Sequence, residues 1–296
     1  MMTLQERPLV QAGPDRKSTG RAADRRPRFR GTPRFWAGVG IVFTIVALAT
    51  AAPLLTPYDP ITQDLLNTLT PPSMMHPMGT DELGRDVWSR LLYGARIDLS
   101  IASAAVVAPF VIGVVIGALS GYFGGVVDGL SMRLADVVVA FPFYVLIIAL
   151  VFALGGGVGS IFVAITLVGW VPYARIVRAE VQSLRERDFI SACRVSGLGS
   201  ARIIFRHLVP NTVSQAIVFA MSDIVMTILV IVTLSYFGLG ITPPQPDWGQ
   251  MLSDGQKFLL SGQYWLIMFP GLAVIITGLG LSLVGDGLVD AMRVKR

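Results

Sequence analysis

Residues 187–211, RDFISACRVSGLGSARIIFRHLVPN, decide how this chain is read: a polar, arginine-rich interruption between two long apolar segments. Phe189, Ala192 and Cys193 fall on one helical face at i, i+3, i+4 spacing, and Ile203, Ile204 and Leu208 repeat the pattern further on. Gly197 and Gly199 separate the two patterns, Asp188 and Ser200 stand where helix caps belong, and Pro210 stands where a helix should stop. The spacing predicts two short helices with a hinge, together a bent, basic, amphipathic element. A solvated surface loop would account for the charge, but not for two apolar faces flanking a glycine hinge.

The flanking segments say what kind of protein carries this element. Of 296 residues, 53% are hydrophobic and only 15% charged, and the mean hydropathy is +0.65. Crossing roughly 30 Å of hydrocarbon takes about 20 apolar residues as helix, and runs of that kind fall near 35–55, 99–121, 136–154, 161–178, 212–239 and 264–285. The runs are continuous rather than alternating, which disfavours a β-barrel, and backbone left in lipid must satisfy its own hydrogen bonds. The expected fold is therefore an all-α integral membrane protein of six spans. The net charge of +5 does not point to nucleic acid, because all but four of the 24 Lys and Arg fall on one side of these spans. By the positive-inside rule that side is cytoplasmic, and with it both termini and the 187–211 loop. Cys193 is the single cysteine, so no intrachain disulfide can form.

Residues 1–34 are rich in Arg, Pro, Gly and Asp and are expected to form a disordered basic tail. Residues 35–55 are read as an uncleaved first span, since the run is longer than a signal-peptide core. Residues 56–98 form an external segment whose start is expected to be kept non-helical by Pro53, Pro57, Pro60, Pro71, Pro72 and Pro77. A helix is expected later in that segment, with Thr80 as its cap and Asp81, Glu82, Arg85 and Asp86 paired along it. Residues 99–286 hold the other five spans, and 287–296 a cytoplasmic end. In the second span Gly113, Gly117 and Gly121 recur every fourth residue, a small-residue face for close helix packing. Pro109, Pro142, Pro172 and Pro270 lie in or beside apolar runs, where proline bends helices.

The 187–211 segment resembles the "EAA" loop of ABC importer permeases, with Ala192, Gly197 and Pro210 in register and Ser191, Cys193, His207 and Val209 departing from the pattern. HPMGTDELGRDVWSRLLYGARIDL (76–99) is similar to the sequence before the second span in the dipeptide, oligopeptide and nickel branch of these permeases, C-type subunit. Gly79, Thr80, Asp81, Gly84, Arg85, Asp86, Ser89 and Arg90 carry that match. RLADVVVAFPFYVLIIAL (133–150) and LSYFGLGITPPQPDWGQML (234–252) resemble the same branch. The resemblance implies that 187–211 docks on an ATPase subunit, with Asp188, Ala192, Cys193, Gly197, Arg206 and Pro210 as contact residues. It further implies a homologous B-type permease, ATPase subunits that hold the ATP and Mg, an extracytoplasmic solute-binding protein, and residence in a bacterial cytoplasmic membrane. Di- and oligopeptides are the expected cargo, with nickel chelates, glutathione, opines and haem-like solutes within the same branch.

The chain's own motifs fit a non-catalytic subunit. It has no Gly-x-x-x-x-Gly-Lys-Ser/Thr loop, no His-Glu-x-x-His and no Gly-x-Ser-x-Gly, so no bound nucleotide, metal or other cofactor is expected. The run Met74-Met75-His76-Pro77-Met78 offers soft ligands for copper, yet neither cysteine nor a carboxylate stands within it to complete a site. Asp223 is the one carboxylate predicted deep in a span and is a pathway candidate by default. Related chains often carry Glu before the Leu-Ser where Ile231 stands here, and Asp223 lies two turns earlier. An ion-coupled carrier centred on Asp223 is the alternative; it would need no docking loop, and carriers commonly show inverted repeats.

Overall fold

The computed structural model describes residues 32–293, and every regular element among them is helical. Helix α1 (Pro33–Thr50) begins with proline at its first position, and the Phe35 N–H donates to the Thr32 hydroxyl at 3.3 Å. The first span thus starts inside the segment expected to be disordered; that expectation otherwise falls on residues outside the described ones. A single turn, α2 (Ala52–Leu55), ends it.

The external segment departs from expectation. Residues 80–86 form no helix: Gly79 (φ +77°) and Gly84 (φ +71°) turn the chain back so that Thr80 and Asp86 pair as an antiparallel bridge. The cap is Asp86, not Thr80, its Oδ2 accepting from the Ser89 N–H at 2.8 Å at the start of α3 (Val87–Ala105). With α4 (Val107–Phe123) this makes a span of 37 residues, Val87–Phe123, longer than the 99–121 read from hydropathy. The polar residues of its first turns lowered the apolar signal while remaining helical.

Helices α5 (Gly125–Val139) and α6 (Phe143–Ala153) meet at 88°, so the expected third span is a bent pair. Pro142 causes the break by disfavouring helical φ/ψ in the residue before it. Helix α7 (Gly157–Arg185) runs through Pro172, and α8 (Asp188–Val195) and α9 (Ser200–Arg202) follow. A π-helical turn, Ile203–Leu208, leads without interruption into α10 (Val209–Tyr236). Pro210 therefore sits near the start of a long helix rather than ending a short one. Helix α11 (Trp248–Gln256) is short, and α12 (Trp265–Arg293) carries Pro270 and extends past 286. Five helices or unbroken pairs are long and apolar enough to cross a membrane, six if the bent pair counts as one span.

Two glycine seams hold the bundle. A Cβ at Gly113, Gly117 or Gly121 would fall 2.5, 2.5 and 2.8 Å from the carbonyl oxygens of Trp170, Ala174 and Arg178, so α4 lies directly against the backbone of α7. Gly38 lies as close to Leu283, and Gly280 to Ile41, which seats α1 on α12. Buried side chains form two clusters. One joins α3, α6, α7, α10, α11 and α12 around Val87, Ile161, Ile231, Trp248 and Trp265. The other joins α4, α7 and α10 to the 187–211 loop around Tyr173, Val177, Ile190, Ile203, Ile204 and Leu208.

Candidate functional site

Three places gather the residues singled out from the sequence. At the first, the 187–211 loop, the second expected face is realised: Ile203, Ile204 and Leu208 are buried. The first is divided. Ile190 and half-buried Cys193 turn toward the bundle, whereas Phe189, Ala192 and Val195 are exposed, Val195 at 90%. Caps fall one residue earlier than expected, with Arg187 and Gly199 at the cap positions and no side-chain bond at either. Gly197 adopts φ +75° and is the hinge. The loop is tied to the body by the Arg194 guanidinium, 5.4 Å from the centre of the Tyr122 ring. Beside it, Arg185 Nη1 donates to the Gly121 carbonyl at 3.2 Å at the end of α4. Exposed Phe205, Arg202, Arg206, Asp188 and Pro210 complete a basic and aromatic outer surface over a buried apolar keel.

At the second place, the 76–99 motif is a buried clamp, not a solvated helix. Thr80, Asp81, Arg85 and Asp86 are all buried. Asp81 accepts from the Leu83 N–H (2.9 Å), the Arg85 N–H (3.0 Å) and Arg85 Nε (2.7 Å), and Arg90 Nε lies 3.5 Å from it. His76 Nδ1 is 2.9 Å from Asp86 Oδ1 and its ring stacks on Tyr58, so the protein's own contacts engage the imidazole, while Met74 and Met75 are exposed. Trp265 Nε1 donates to the Thr80 carbonyl at 3.3 Å, and the Trp248 N–H donates to Asp98 Oδ2 at 3.0 Å. The motif thereby fastens α3, α11 and α12 together. Behind it Asp98 and Asp247 are both fully buried, each with one oxygen lacking a hydrogen-bond partner. Burial pushes the Asp247 carboxyl up to about 6, against hydrogen bonds from Gln250, Ser235 and Gly249 that pull it down. Sequence reading missed this pair, although Asp98, immediately before the apolar run 99–121, was its visible trace.

At the third place, Asp223 stands midway along α10, and its Oδ2 accepts from the Tyr173 hydroxyl of α7 at 2.7 Å. Tyr173 is fully buried between Phe110 and Phe219, with ring centres at 5.5 and 5.0 Å. Asp223 lines an apolar cavity of about 160 Å³ walled by α5, α6, α7 and α10, with Thr227 the only other polar side chain on its wall. On the loop side of Tyr173, Arg178 makes a two-pronged ion pair with Asp128, with Nη2 to Oδ2 at 2.6 Å, and Ser120 of α4 donates to the same carboxylate. Arg175 pairs with Asp136 at 2.8 Å. These pairs join α4, α5 and α7.

A basic hinged loop rooted in the core, a membrane bundle and a mid-membrane cavity are the parts of a transport subunit. Residues 113–295 match the family described as binding-protein-dependent transport system inner membrane component. The chain belongs to that family. Residues 22–72 also match the N-terminal transmembrane domain of oligopeptide transport permease C. The dipeptide transport system permease protein of Bacillus subtilis is 39% identical over 259 residues, 88% of this chain and 81% of that one. The oligopeptide permease of the same organism is 38% identical, over 95% of this chain and 92% of its own length. The nickel transport system permease protein of Escherichia coli is 38% identical, over 84% and 90%. The chain is thus an inner-membrane permease, a multi-pass subunit of a bacterial importer, and nothing supports the carrier alternative.

Proposed function

We propose that this permease moves di- and oligopeptides into the cell and draws its energy from ATPase subunits docked on residues 187–211. The carrying observation is the loop itself. Phe189, Val195 and Phe205 stand exposed on a scaffold whose inner residues, Ile190, Ile203, Ile204 and Leu208, belong to the same cluster as Tyr173 and Val177. An exposed apolar surface mounted on a buried keel serves a partner rather than solvent. Exposed Arg202 and Arg206 add a charge preference to that surface.

The concentration of Lys and Arg on the loop side supports an orientation with both termini in the cytoplasm and the clamp, with α11, on the outside. There a solute-binding protein delivers cargo. The exposed apolar faces of α5 and α6, including Leu130, Leu134, Val137 and Val145, take lipid and the homologous B-type permease. ATP and Mg stay in the ATPases; closure of those subunits pushes α8 and rocks the bundle outward beneath the loaded binding protein. Relatives named for dipeptide and oligopeptide transport support the cargo class.

The test is purification of the tagged chain from its native membrane in mild detergent. ATPase subunits and a second permease should accompany it at fixed stoichiometry. Gly197→Pro, which replaces φ +75° with about −65°, should release the ATPases and abolish peptide uptake. Retained ATPase subunits and unchanged uptake in Gly197→Pro would overturn the docking assignment.

A further inference from the structure

The cavity at mid-membrane holds one feature that an importer of undefined cargo does not need. On α10, Asp223, Met226, Thr227 and Val230 follow one another at i, i+3, i+4 and i+7 and all line the same cavity. Across from them stand Val138, Phe143, Ile147 and Val168, none of which offers a charge or a hydrogen bond. Only one Asp223 oxygen is used, by the Tyr173 hydroxyl; among the described residues no donor reaches its Oδ1, and no Lys, Arg or His pairs with it. The arginines of α7 nearest in sequence are already matched, Arg175 by Asp136 and Arg178 by Asp128. A carboxyl group placed in an apolar wall, held in one orientation by a buried tyrosine and left with an open acceptor, is built to receive something positively charged.

We propose that Asp223 Oδ1 receives the protonated amine of the cargo as it passes the middle of the membrane. The transported solute then carries a free ammonium group, as a peptide amino terminus does, and an anionic chelate is disfavoured. This inference rests on the importer reading above. Tyr173 is a positioning residue: its hydroxyl holds Oδ2 of the cavity-lining carboxyl and leaves Oδ1 without a partner. The apolar wall accepts side chains of many sizes, and the single charge fixes the end of the molecule common to all peptides.

The test uses the complete importer in proteoliposomes, with a labelled dipeptide and its N-acetylated counterpart, each at a concentration that saturates the binding protein. Uptake per ATP hydrolysed is measured for both. Wild type should favour the free amine, and Asp223→Asn should lower that preference by about tenfold, the scale of one charge-assisted hydrogen bond. Tyr173→Phe should lower it two- to threefold with the subunits still assembled. An unchanged preference in either variant overturns the assignment and leaves the importer reading standing. Loss of the second permease from Asp223→Asn would make Asp223 a subunit contact and also overturns it. A wild-type importer that hydrolyses ATP but moves neither peptide overturns both this inference and the peptide reading.

Discussion

Gly117→Ala is the smallest change that tests the seam between α4 and α7. The added Cβ would lie 2.5 Å from the Ala174 carbonyl oxygen and 3.0 Å from both Ala174 Cα and Val177 Cβ, where ordinary contact begins at 3.4 Å. Two of those atoms are backbone, so no rotamer change relieves the overlap. The helices must part by nearly an ångström, or α4 must rotate and carry Gly113 and Gly121 out of register. Overpacking of a tight interface costs about 1–3 kcal/mol, against a gain of up to ~1 kcal/mol from the better helix propensity of alanine. The net expectation is a loss of about 1–2 kcal/mol, or roughly 2–8 °C in melting temperature for a chain of this size. Gly129→Ala is the control: it is helical, with nothing within 4 Å of its added Cβ. Melting of fluorescently tagged protein in mild detergent should show the two substitutions shifting in opposite directions. If Gly117→Ala melts at or above wild type with its partners still bound, the close-approach reading of the stripe is wrong.

Two further outcomes follow from the clamp. The Asp247 carboxyl, raised to about 6 in the fold against 3.8 as its ordinary value, favours the folded state fully below about pH 4 and loses that contribution as pH rises through 6. Asp247→Asn, which keeps the oxygen that accepts from Gln250, should therefore be more stable than wild type at pH 8, by up to about 3 kcal/mol; the gap should shrink to about 1 kcal/mol at pH 4.5 and close below about pH 4, and melting curves across that range check it. Gly84→Ala combines a forbidden φ of +71° with a Cβ 1.8 Å from the Asp64 carbonyl oxygen. It should cost about 3 kcal/mol or more and expose the clamp to proteolysis at residues 80–86.

What was legible in the sequence was what repeats. The glycines at 113, 117 and 121 and the buried Ile203, Ile204 and Leu208 announce themselves by period, and each is where its period placed it; the apolar runs announced the spans, though the second begins at Val87 and the third is bent by 88°. The failures share a different cause. Thr80 to Asp86 carries helix-compatible charge spacing, but two left-handed glycines outweigh it, and the charges fold inward instead of along a helix. Pro210 reads as a stop, yet the π-turn of Ile203–Leu208 lets the helix continue through it. The pairs that build the interior, Tyr173 with Asp223, Arg178 with Asp128 and Trp248 with Asp98, join residues 50 to 150 positions apart and leave no periodic trace.

The placement of the loop core shows how the proposed docking at one end would bear on the cavity. Ile190 of α8 and Ile203, Ile204 and Leu208 of the π-turn pack in one cluster with Tyr173, Val177 and Val181 of α7 and Ala216 of α10. Interiors packed to crystal density do not deform smoothly, so a displacement of α8 moves that cluster as a body. Tyr173 is in the cluster and its hydroxyl holds Asp223; the cavity wall and the proposed docking surface are therefore two faces of one packed unit. Arg178 and Asp128 extend the same unit to α5, whose far end bounds the cavity through Val138 and Val139. The glycine seam makes this arrangement stiff: with α4 pressed on the α7 backbone at three successive turns, a push on the loop cannot be absorbed by sliding side chains. It must instead turn α7 against α10, and the polar link between those helices there is the Tyr173–Asp223 hydrogen bond.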